Sequence, residues 1–457
     1  MSRGFYVHNL GCKVNRVESD TIASQLIESG IPMVSRNSAQ VIILNTCTVT
    51  SEADAKTRKA IRQACALSTN PWVVVTGCST VIHAEELSRL GAQVIVEPDR
   101  ARALQRAHSL LQHDETAKCP SSSSQNDTNK HDKVGHTGPV SQDAACVLHD
   151  ASVPSLGLIT RTGPAFKTRV GIKIQDGCNN RCSYCIVSTV RGPSRSIPQD
   201  EIITELQALE HAGVKEIVFT GINLGAYHDD AVDLVNLLKR CLRTVSSARI
   251  RLSSIEPMDV TDKLLDLMVS YQGHICAHLH MPLQSGSDRI LRLMQRPYTT
   301  AQYETIIHKA RAALPHMAFT TDVIVGFPGE TDEDFSKTMD FCTRVGFAKL
   351  HVFRYSKRQG TAAAQMTEQV PAQVKSSRSA QLRCLSDHLG NEAASQRVGR
   401  TELVLVERVG TGTSESYHTV RLSSTFTPGS LVSLCITGND GPVLISQDMC
   451  VPVNKTE

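Results

Sequence analysis

The 457-residue chain has one tryptophan, and phenylalanine, tyrosine and tryptophan together make only 4% of it. It has no apolar run of the about eighteen residues that span a bilayer. Its opening, MSRGFYVHNLGC, lacks the basic stretch followed by a long apolar one that marks a secretory signal. Membrane-spanning and secreted proteins are thereby set aside, and a cytoplasmic location is expected. A net charge of only +3 is too small to imply a nucleic-acid partner by itself. Nothing in the composition suggests a fibre, and the length leaves room for two or three domains with cores of their own.

Cysteine is plentiful, at fifteen residues. In a reducing compartment these are thiols, metal ligands or catalytic groups rather than disulfides. What is missing is a fourth ligand. Residues 176–186 read D-G-C-N-N-R-C-S-Y-C-I, so Cys178, Cys182 and Cys185 are spaced C-x3-C-x2-C, and the nearest other cysteines and histidines are Cys146, Cys241, His149 and His211. A closed zinc site takes four ligands, usually as two close pairs. The trio reads as a metal site with one position open, the alternative being zinc completed by a remote ligand.

Three apolar runs, FYVHNL (5–10), VIILN (41–45) and WVVVTG (72–77), alternate with helical patterns, which predicts an open, largely parallel α/β sheet. Each run leads into a cysteine: Cys12, Cys47 and Cys78. Ligands of such sheets bind outside the carboxyl ends of the strands, so these three cysteines can converge. From about 168 a second β/α alternation begins, with strands expected near 169–174, 216–220, 249–254, 275–282, 318–326 and 349–355. Six such units predict a parallel barrel, complete or partial, with its chemistry at the carboxyl ends of the strands. Cys178 lies in the loop after the first. Short strands with turn signals from 401 (ELVLVERVG, YHTVRLSS, SLVSLCITGN, GPVLISQ) predict a small β-barrel. The expected organisation is α/β: an N-terminal α/β domain over 1–111, a polar linker or insertion over 112–165 holding Cys119 and Cys146, a partial barrel over 166–400, and a small β-barrel over 401–457. Residues 351–400 carry eight Lys and Arg against three Asp and Glu, whereas 401–457 carry three against six. The basic segment suits phosphate or a solvated surface, and the acidic tail has only Tyr417 and Phe426 for stacking on bases.

Three thiolates on a cubane iron–sulfur cluster leave one iron open, and an open iron that chelates S-adenosylmethionine can deliver the electron that splits its sulfonium. The run G-C-N-N-R-C-S-Y-C-I resembles the radical S-adenosylmethionine motif. With N-L-G-C-K-V-N, N-T-C-T-V and T-G-C the chain resembles the methylthiotransferases, and the likeness extends through K-I-Q-D-G-C, R-G-P-S-R-S-I-P, T-G-I-N-L-G-A-Y, R-L-S-S-I-E-P, H-L-H-M-P-L-Q-S-G-S-D-R-I-L, D-V-I-V-G-F-P-G-E-T and Y-S-K-R-Q-G-T. The resemblance covers nearly the whole chain apart from 112–165. It implies two 4Fe-4S clusters, one on Cys178, Cys182 and Cys185 that generates the radical from S-adenosylmethionine, the other on Cys12, Cys47 and Cys78. It also implies a C-terminal TRAM domain contacting RNA, and an electron-donor protein of unknown identity. G-C-K-V-N and P-S-R-S-I-P are similar to the branch that methylthiolates N6-threonylcarbamoyladenosine at position 37, in the tRNA anticodon loop. Alternatives are the N6-isopentenyladenosine branch, the branch acting on an aspartate of a small-subunit ribosomal protein and, outside catalysis, a zinc-stabilised RNA-binding protein.

The cofactor contacts expected are Tyr184, Gly221, Asn223, Glu256 and Gly326. All but Tyr184 have a plainer reading: a tight turn at Gly221 and Asn223, a helix cap at Glu256, a turn at Gly326 and Gly329. His278 and His280 are expected in the core or facing substrate. Arg289, Arg292 and Arg296 follow helical spacing, so a solvated helix face is preferred over phosphate contacts. Lys357, Arg358, Lys375 and Arg378 are candidates for gripping the tRNA backbone. Ser188 and Arg354 stand near positions where the family commonly has proline, on what is expected to be the active face. Cys65, Cys241, Cys276, Cys342, Cys384, Cys435 and Cys450 are expected to be packing residues.

Overall fold

The computed structural model describes residues 3–112, 161, 166–423 and 425–450; Cys119 and Cys146 lie outside them. The described residues form two compact units, one of residues 3–112 with Thr189–Gly192, the other of the remainder. Among the described residues no helix is long and apolar enough to cross a membrane.

The N-terminal unit alternates strand and helix: β1 (Phe5–Asn9), α1 (Lys13–Glu28), β2 (Val41–Thr46), α2 (Ser51–Cys65), β3 (Trp72–Gly77), α3 (Cys78–Ser88), β4 (Val94–Val96) and α4 (Arg100–Gln112). The strands are parallel, in the order β1-β2-β3-β4. All six residues of β2 are buried, as expected of a parallel strand covered on both faces. The short β4 was not expected, because three residues are too few to show a period.

The second unit opens with β5 (Arg169–Lys173), β6 (Gln175–Asp176), α5 (Val187–Arg191, whose last three residues belong to the first unit), β7 (Arg195–Ser196), α6 (Gln199–His211) and β8 (Glu216–Thr220). Next come β9 (His228–Asp229), β10 (Val232–Asp233), α7 (Leu234–Thr244), β11 (Arg249–Leu252), α8 (Asp262–Ser270), β12 (His278–His280), α9 (Asp288–Leu293), α10 (Thr300–Ala313), β13 (Ala318–Val325), α11 (Asp332–Val345) and β14 (Lys349–Arg354). Strands β5, β8 and β11 form one parallel sheet and β12, β13 and β14 another. The bridges Ile250 to Ile275 and Ser254 to His280 link them, giving the partial barrel expected. Strand 275–282 is shorter than its apolar run, at three residues.

Alternation decides what each strand shows to either side. Val170, Ile172, Ile217, Phe219, Ile250 and Leu252 join the main core with α6 and α7. Their neighbours in register, Arg169, Lys173, Glu216, Thr220, Arg249 and Arg251, occupy the opposite face. The barrel therefore has an apolar exterior under helices and a polar interior.

After α12 (Ala362–Gln365), the 24-residue helix α13 (Ala372–Ser395) packs beside β14. The sequence hid it because Arg378, Ser379, Ser386 and Gly390 share its buried face with Leu382 and Leu389, so no apolar stripe emerges. Strands β15 (Thr401–Arg408), β16 (Thr411–Ser414), β17 (Thr419–Arg421), β18 (Leu431–Asp440) and β19 (Val443–Cys450) close a barrel in the order β15-β16-β17-β19-β18. Four strands were expected. The fifth, T-G-T-S, has no apolar residue to announce it.

One buried carboxylate ties this small barrel to the partial barrel. Glu216 is fully buried and accepts from Arg249 Nε at 2.8 Å and Arg251 Nε at 2.7 Å. The guanidiniums then donate to carbonyls of the C-terminal barrel: Arg249 to Leu403 (2.6 Å) and Thr413 (3.2 Å), Arg251 to Ser414 (2.9 Å) and Glu415 (3.0 Å). Tyr417 completes the seam, stacked on His278 at 4.6 Å and under Arg251 at 5.1 Å. Burial alone would raise the Glu216 pKa, but Arg251 and Arg249 hold it down to about 2 from 4.5. Because the folded-state value is depressed, this stabilisation is present above pH 4.5 and is lost as pH falls toward 2. Replacing Glu216 by Gln leaves two buried cations unpaired and is expected to cost about 3–5 kcal/mol in urea denaturation at neutral pH. It should also flatten the acid limb of the stability profile; a loss below about 1 kcal/mol, the range of exposed ion pairs, would contradict this role.

Candidate functional site

In the N-terminal unit the three cysteines follow the carboxyl ends of neighbouring parallel strands. Cys12 occupies the N-cap position of α1 and Cys78 begins α3. Asparagines of the same motifs brace them. Cys12 Sγ donates to Asn15 Oδ1 at 3.1 Å, Asn15 Nδ2 donates to Asn45 Oδ1 at 2.8 Å and to the Thr46 carbonyl at 3.0 Å, and Asn45 Nδ2 returns a bond to the Asn15 carbonyl at 2.9 Å. Gly77 takes φ +95°, and a Cβ there would lie 2.4 Å from Asn45 Oδ1 and 2.5 Å from the Thr46 carbonyl. Arg191, 2% exposed, donates to Asn15 Oδ1 and to Glu18 Oε1, both at 3.0 Å. Burial pushes the Cys12 thiol up and the Cys47 thiol up to about 11; Cys12 and Cys78 add to the Cys47 shift, so these sulfurs sense one another.

The second trio sits in the loop after β5 and β6. Burial pushes the Cys178 thiol up and the Cys185 thiol up to about 12, and Cys182 raises both. Gln175, fully buried, pins the loop: its Nε2 donates at 2.9 Å to the carbonyls of Asp176 and Gly177 and to Ser194 Oγ, while its Oε1 accepts from the amides of Ile222 (3.0 Å) and Asn223 (2.9 Å). Farther along, Ser183 Oγ donates to the Leu293 carbonyl at 2.7 Å and the Ala363 amide donates to the Ser183 carbonyl at 2.8 Å. Tyr184 packs edge-on to Phe327 at 6.5 Å beside Ile290, Met294 and Tyr355.

The expected cofactor contacts divide. Thr220 Oγ1, Asn223 Oδ1 and Ser253 Oγ, at the carboxyl ends of β8 and β11, are buried and have no hydrogen-bond partner among the described residues. Gly221 lies against Gln175, 3.0 Å from its Oε1 by any added Cβ. Glu256 makes no cap bond with its side chain and pairs instead with Arg296. Gly326 has φ +70° and donates its amide to the Glu330 carboxylate at 3.0 Å, a turn braced by the buried Arg378–Glu330 pair at 2.6 Å. His278 Nε2 and His280 Nδ1 both meet Thr320 Oγ1 at 2.9 Å, and His280 Nε2 lies 3.3 Å from Asp322.

Four expectations need correction. Arg296 is not on a solvated helix face: α9 ends at Leu293, Gln295 turns left-handed (φ +56°), and Arg296 is carried inward to 8% exposure. Arg358 and Arg378 are buried and Lys375 is partly buried, lying over the Tyr355 ring and against Gly326, so of that set only Lys357 is exposed. Arg354 alternates with the interior-facing His351 and Phe353 and donates to Ser376 of α13 at 3.3 Å, away from the barrel interior. Cys384 is exposed rather than packed, whereas Cys241, Cys276 and Cys342 are buried.

Two family models match the chain: the Radical SAM superfamily over 172–342 and Uncharacterized protein family UPF0004 over 4–96. The threonylcarbamoyladenosine tRNA methylthiotransferase MtaB of Bacillus subtilis is 38% identical over 395 residues, covering 85% of this chain and 81% of that protein. The chain belongs to the radical S-adenosylmethionine methylthiotransferase family. Its relatives include the protein of the same name from Chlamydia pneumoniae (34% identical, 88% of this chain and 86% of that one). Another is the tRNA-2-methylthio-N(6)-dimethylallyladenosine synthase of Streptomyces viridosporus (34% identical, 90% and 78%). In fold it is similar to TsrM, a radical S-adenosylmethionine methyltransferase of Kitasatospora setae, with a TM-score of 0.55 at 14% identity over 80% of this chain and 74% of that one.

A member of this family is a transferase that uses a 4Fe-4S cluster and S-adenosylmethionine. The residues fit both groups. Among the described residues no three His, Cys, Asp or Glu side chains gather closely enough to hold a metal ion; the donor set itself, three thiols that shift one another's pKa in each unit, is the one a cubane cluster with one open iron takes. The orphaned Thr220, Asn223 and Ser253 side chains offer hydrogen bonds to a polar ligand at the barrel mouth.

The backbone at Gly77 allows a direct test. Gly77→Ala adds a collision with Asn45 to backbone strain of about 1–3 kcal/mol, whereas Gly213→Ala, at φ +85° with nothing within 4 Å, adds strain alone. In urea denaturation the first is expected to cost clearly more than the second. Equal losses would contradict the close packing under the N-terminal trio.

Proposed function

We propose that the chain methylthiolates N6-threonylcarbamoyladenosine at position 37 of tRNA, replacing the adenine C2 hydrogen with a methylthio group. The observation that carries this reading is the pair of cysteine trios, one at the carboxyl ends of three parallel strands and one in the single loop after β5 and β6, in a chain 38% identical to a threonylcarbamoyladenosine tRNA methylthiotransferase. Cys178, Cys182 and Cys185 hold the radical-generating cluster, and Cys12, Cys47 and Cys78 hold a second 4Fe-4S cluster. When bound, the first cluster and S-adenosylmethionine supply a carbon-centred radical by one-electron cleavage of the sulfonium.

The chain's own groups do the rest. Asn223 and Ser253 orient S-adenosylmethionine at the barrel mouth, and Tyr184, wedged against Phe327, keeps the cysteine loop in place. Gly221 and Gly326 bring backbone close to the same mouth. His280 and Asp322, 3.3 Å apart on the interior face, offer the hydrogen bonds that position the substrate base. The C-terminal barrel, docked through Glu216, presents the TRAM surface to RNA, with the anticodon loop as partner. The functional divisions follow at 111, 165 and 400. The N6-isopentenyladenosine reading keeps support from the 34% identity to a dimethylallyladenosine synthase over 90% of the chain.

Two measurements separate these readings. Nucleosides from digested tRNA of cells with and without the gene, compared by mass spectrometry, should lose 2-methylthio-N6-threonylcarbamoyladenosine and accumulate its precursor. Loss of the isopentenyl product instead would move the substrate, and no change in any methylthio nucleoside would end the tRNA reading. In purified, anaerobically reconstituted enzyme, Cys178→Ala should abolish release of 5′-deoxyadenosine. Cys78→Ala should keep that release and lose only methylthio transfer; loss of both would deny separate roles to the two trios.

A further inference from the structure

Among the described residues each sulfur of the radical trio accepts one N–H, and the three donors differ in kind. Cys178 Sγ accepts from the Asn180 amide at 3.4 Å and Cys185 Sγ from the Val187 amide at 3.5 Å, both neutral groups two residues away. Cys182 Sγ accepts from Arg296 Nη1 at 3.1 Å, a cation from 114 residues along the chain. Hydrogen bonds with a charged partner are roughly twice as strong as neutral ones.

The arginine is held from every side. Its Nη2 meets the Glu256 carboxylate, its Nε donates to Tyr298 Oη at 3.1 Å, and its guanidinium lies 5.0 Å from the centre of the Tyr298 ring. Tyr298 in turn donates to the carbonyls of Pro282 (2.8 Å) and Leu283 (3.0 Å). The Arg296 backbone is fixed by its own amide, which donates to the Leu291 carbonyl at 2.9 Å. A buried cation needs one counter-charge to remain folded, and Glu256 supplies it. That requirement does not explain why a remaining N–H is spent on a cysteine sulfur.

We propose that Arg296 is a positioning residue that sets the reduction potential of the radical cluster, through a charged hydrogen bond to Cys182 Sγ, with Glu256 as the counter-charge that moderates it. The inference rests on the reading of Cys178, Cys182 and Cys185 as cluster ligands. Hydrogen bonds to sulfur and local net charge are among the factors that set iron–sulfur potentials. One-electron reduction adds negative charge to the cluster, so a cation at a ligand sulfur stabilises the reduced state more than the oxidised one and raises the potential. Glu256, with the opposite charge, acts in the opposite direction.

The sign provides the test. Full-length protein carrying Cys12→Ala, Cys47→Ala and Cys78→Ala, reconstituted with iron and sulfide so that only the radical trio is loaded, is titrated with dithionite while the reduced cluster is followed by electron paramagnetic resonance. Arg296→Met is expected to lower the reduced-to-oxidised ratio at fixed potential at least tenfold, a shift of 59 mV to more negative values for one electron. Arg296→Lys should recover part of it, and Glu256→Gln should shift the midpoint to less negative values. A purely structural role predicts loss of iron without a directed shift. Midpoints that stay within error of the parent, or that move in the same direction in Arg296→Lys and Glu256→Gln, would overturn the proposal, and these two variants keep it testable should Arg296→Met fail to retain iron. A parent that takes up no iron at Cys178, Cys182 and Cys185 would overturn the cluster reading itself, and the inference with it.

Discussion

The second unit depends on one carboxylate that water cannot reach. Glu216 lies at the start of β8 with Arg249 and Arg251 beside it on β11, and the remaining guanidinium protons go to backbone carbonyls of the C-terminal barrel. Without Glu216 the two arginines would be buried cations; without the carbonyls their other donors would be orphaned. Five residues of β8 rise about 3.3 Å each, so the charge cluster closes one end of the polar interior while Thr220 opens on the other. Specifying one strand register therefore fixes both the seam with the small barrel and the ring of side chains at the mouth.

The same solution recurs beside the cysteines. Arg191 is paired with Glu18 and bonded to Asn15, which holds the Cys12 thiol; Arg296 is paired with Glu256 and bonded to the Cys182 sulfur. Thiolates gathered in a buried setting repel one another and lose solvation, as the upward shifts of Cys47 and Cys185 record. A guanidinium anchored by its own carboxylate brings positive charge and rigid donors to such a place without adding net charge to the interior. The two arginines differ in how they deliver it: Arg191 acts through an asparagine, Arg296 directly on sulfur.

Much of the architecture was legible because the signals were local. Apolar runs of five or six residues leading into Cys12, Cys47 and Cys78 state a parallel sheet and bring the three cysteines to one edge of it, and the alternation after Arg169 gives the strands of the partial barrel. Helix α13 and strand β16 were not legible, since serine, arginine and glycine on the buried face of the one, and T-G-T-S in the other, carry no apolar period. The placement of Arg296 was misread for a related reason. Spacing alone extends α9 through it, whereas the left-handed turn at Gln295 depends on contacts that residue spacing does not encode.

The sequence by itself determined where the cysteines fall in two groups of three and after which strands they come, because residue type and strand order are properties of the chain's own order. It also determined the family, through motifs whose chemistry is compact in sequence. Only the tertiary structure decided that Gln175 joins the cysteine loop to the end of β8, that Arg378 braces the Gly326 turn instead of facing solvent, and that Arg296 reaches Cys182. These are pairings between residues tens to more than a hundred positions apart, and a charged side chain reads the same in sequence whether it ends in water or on a buried partner.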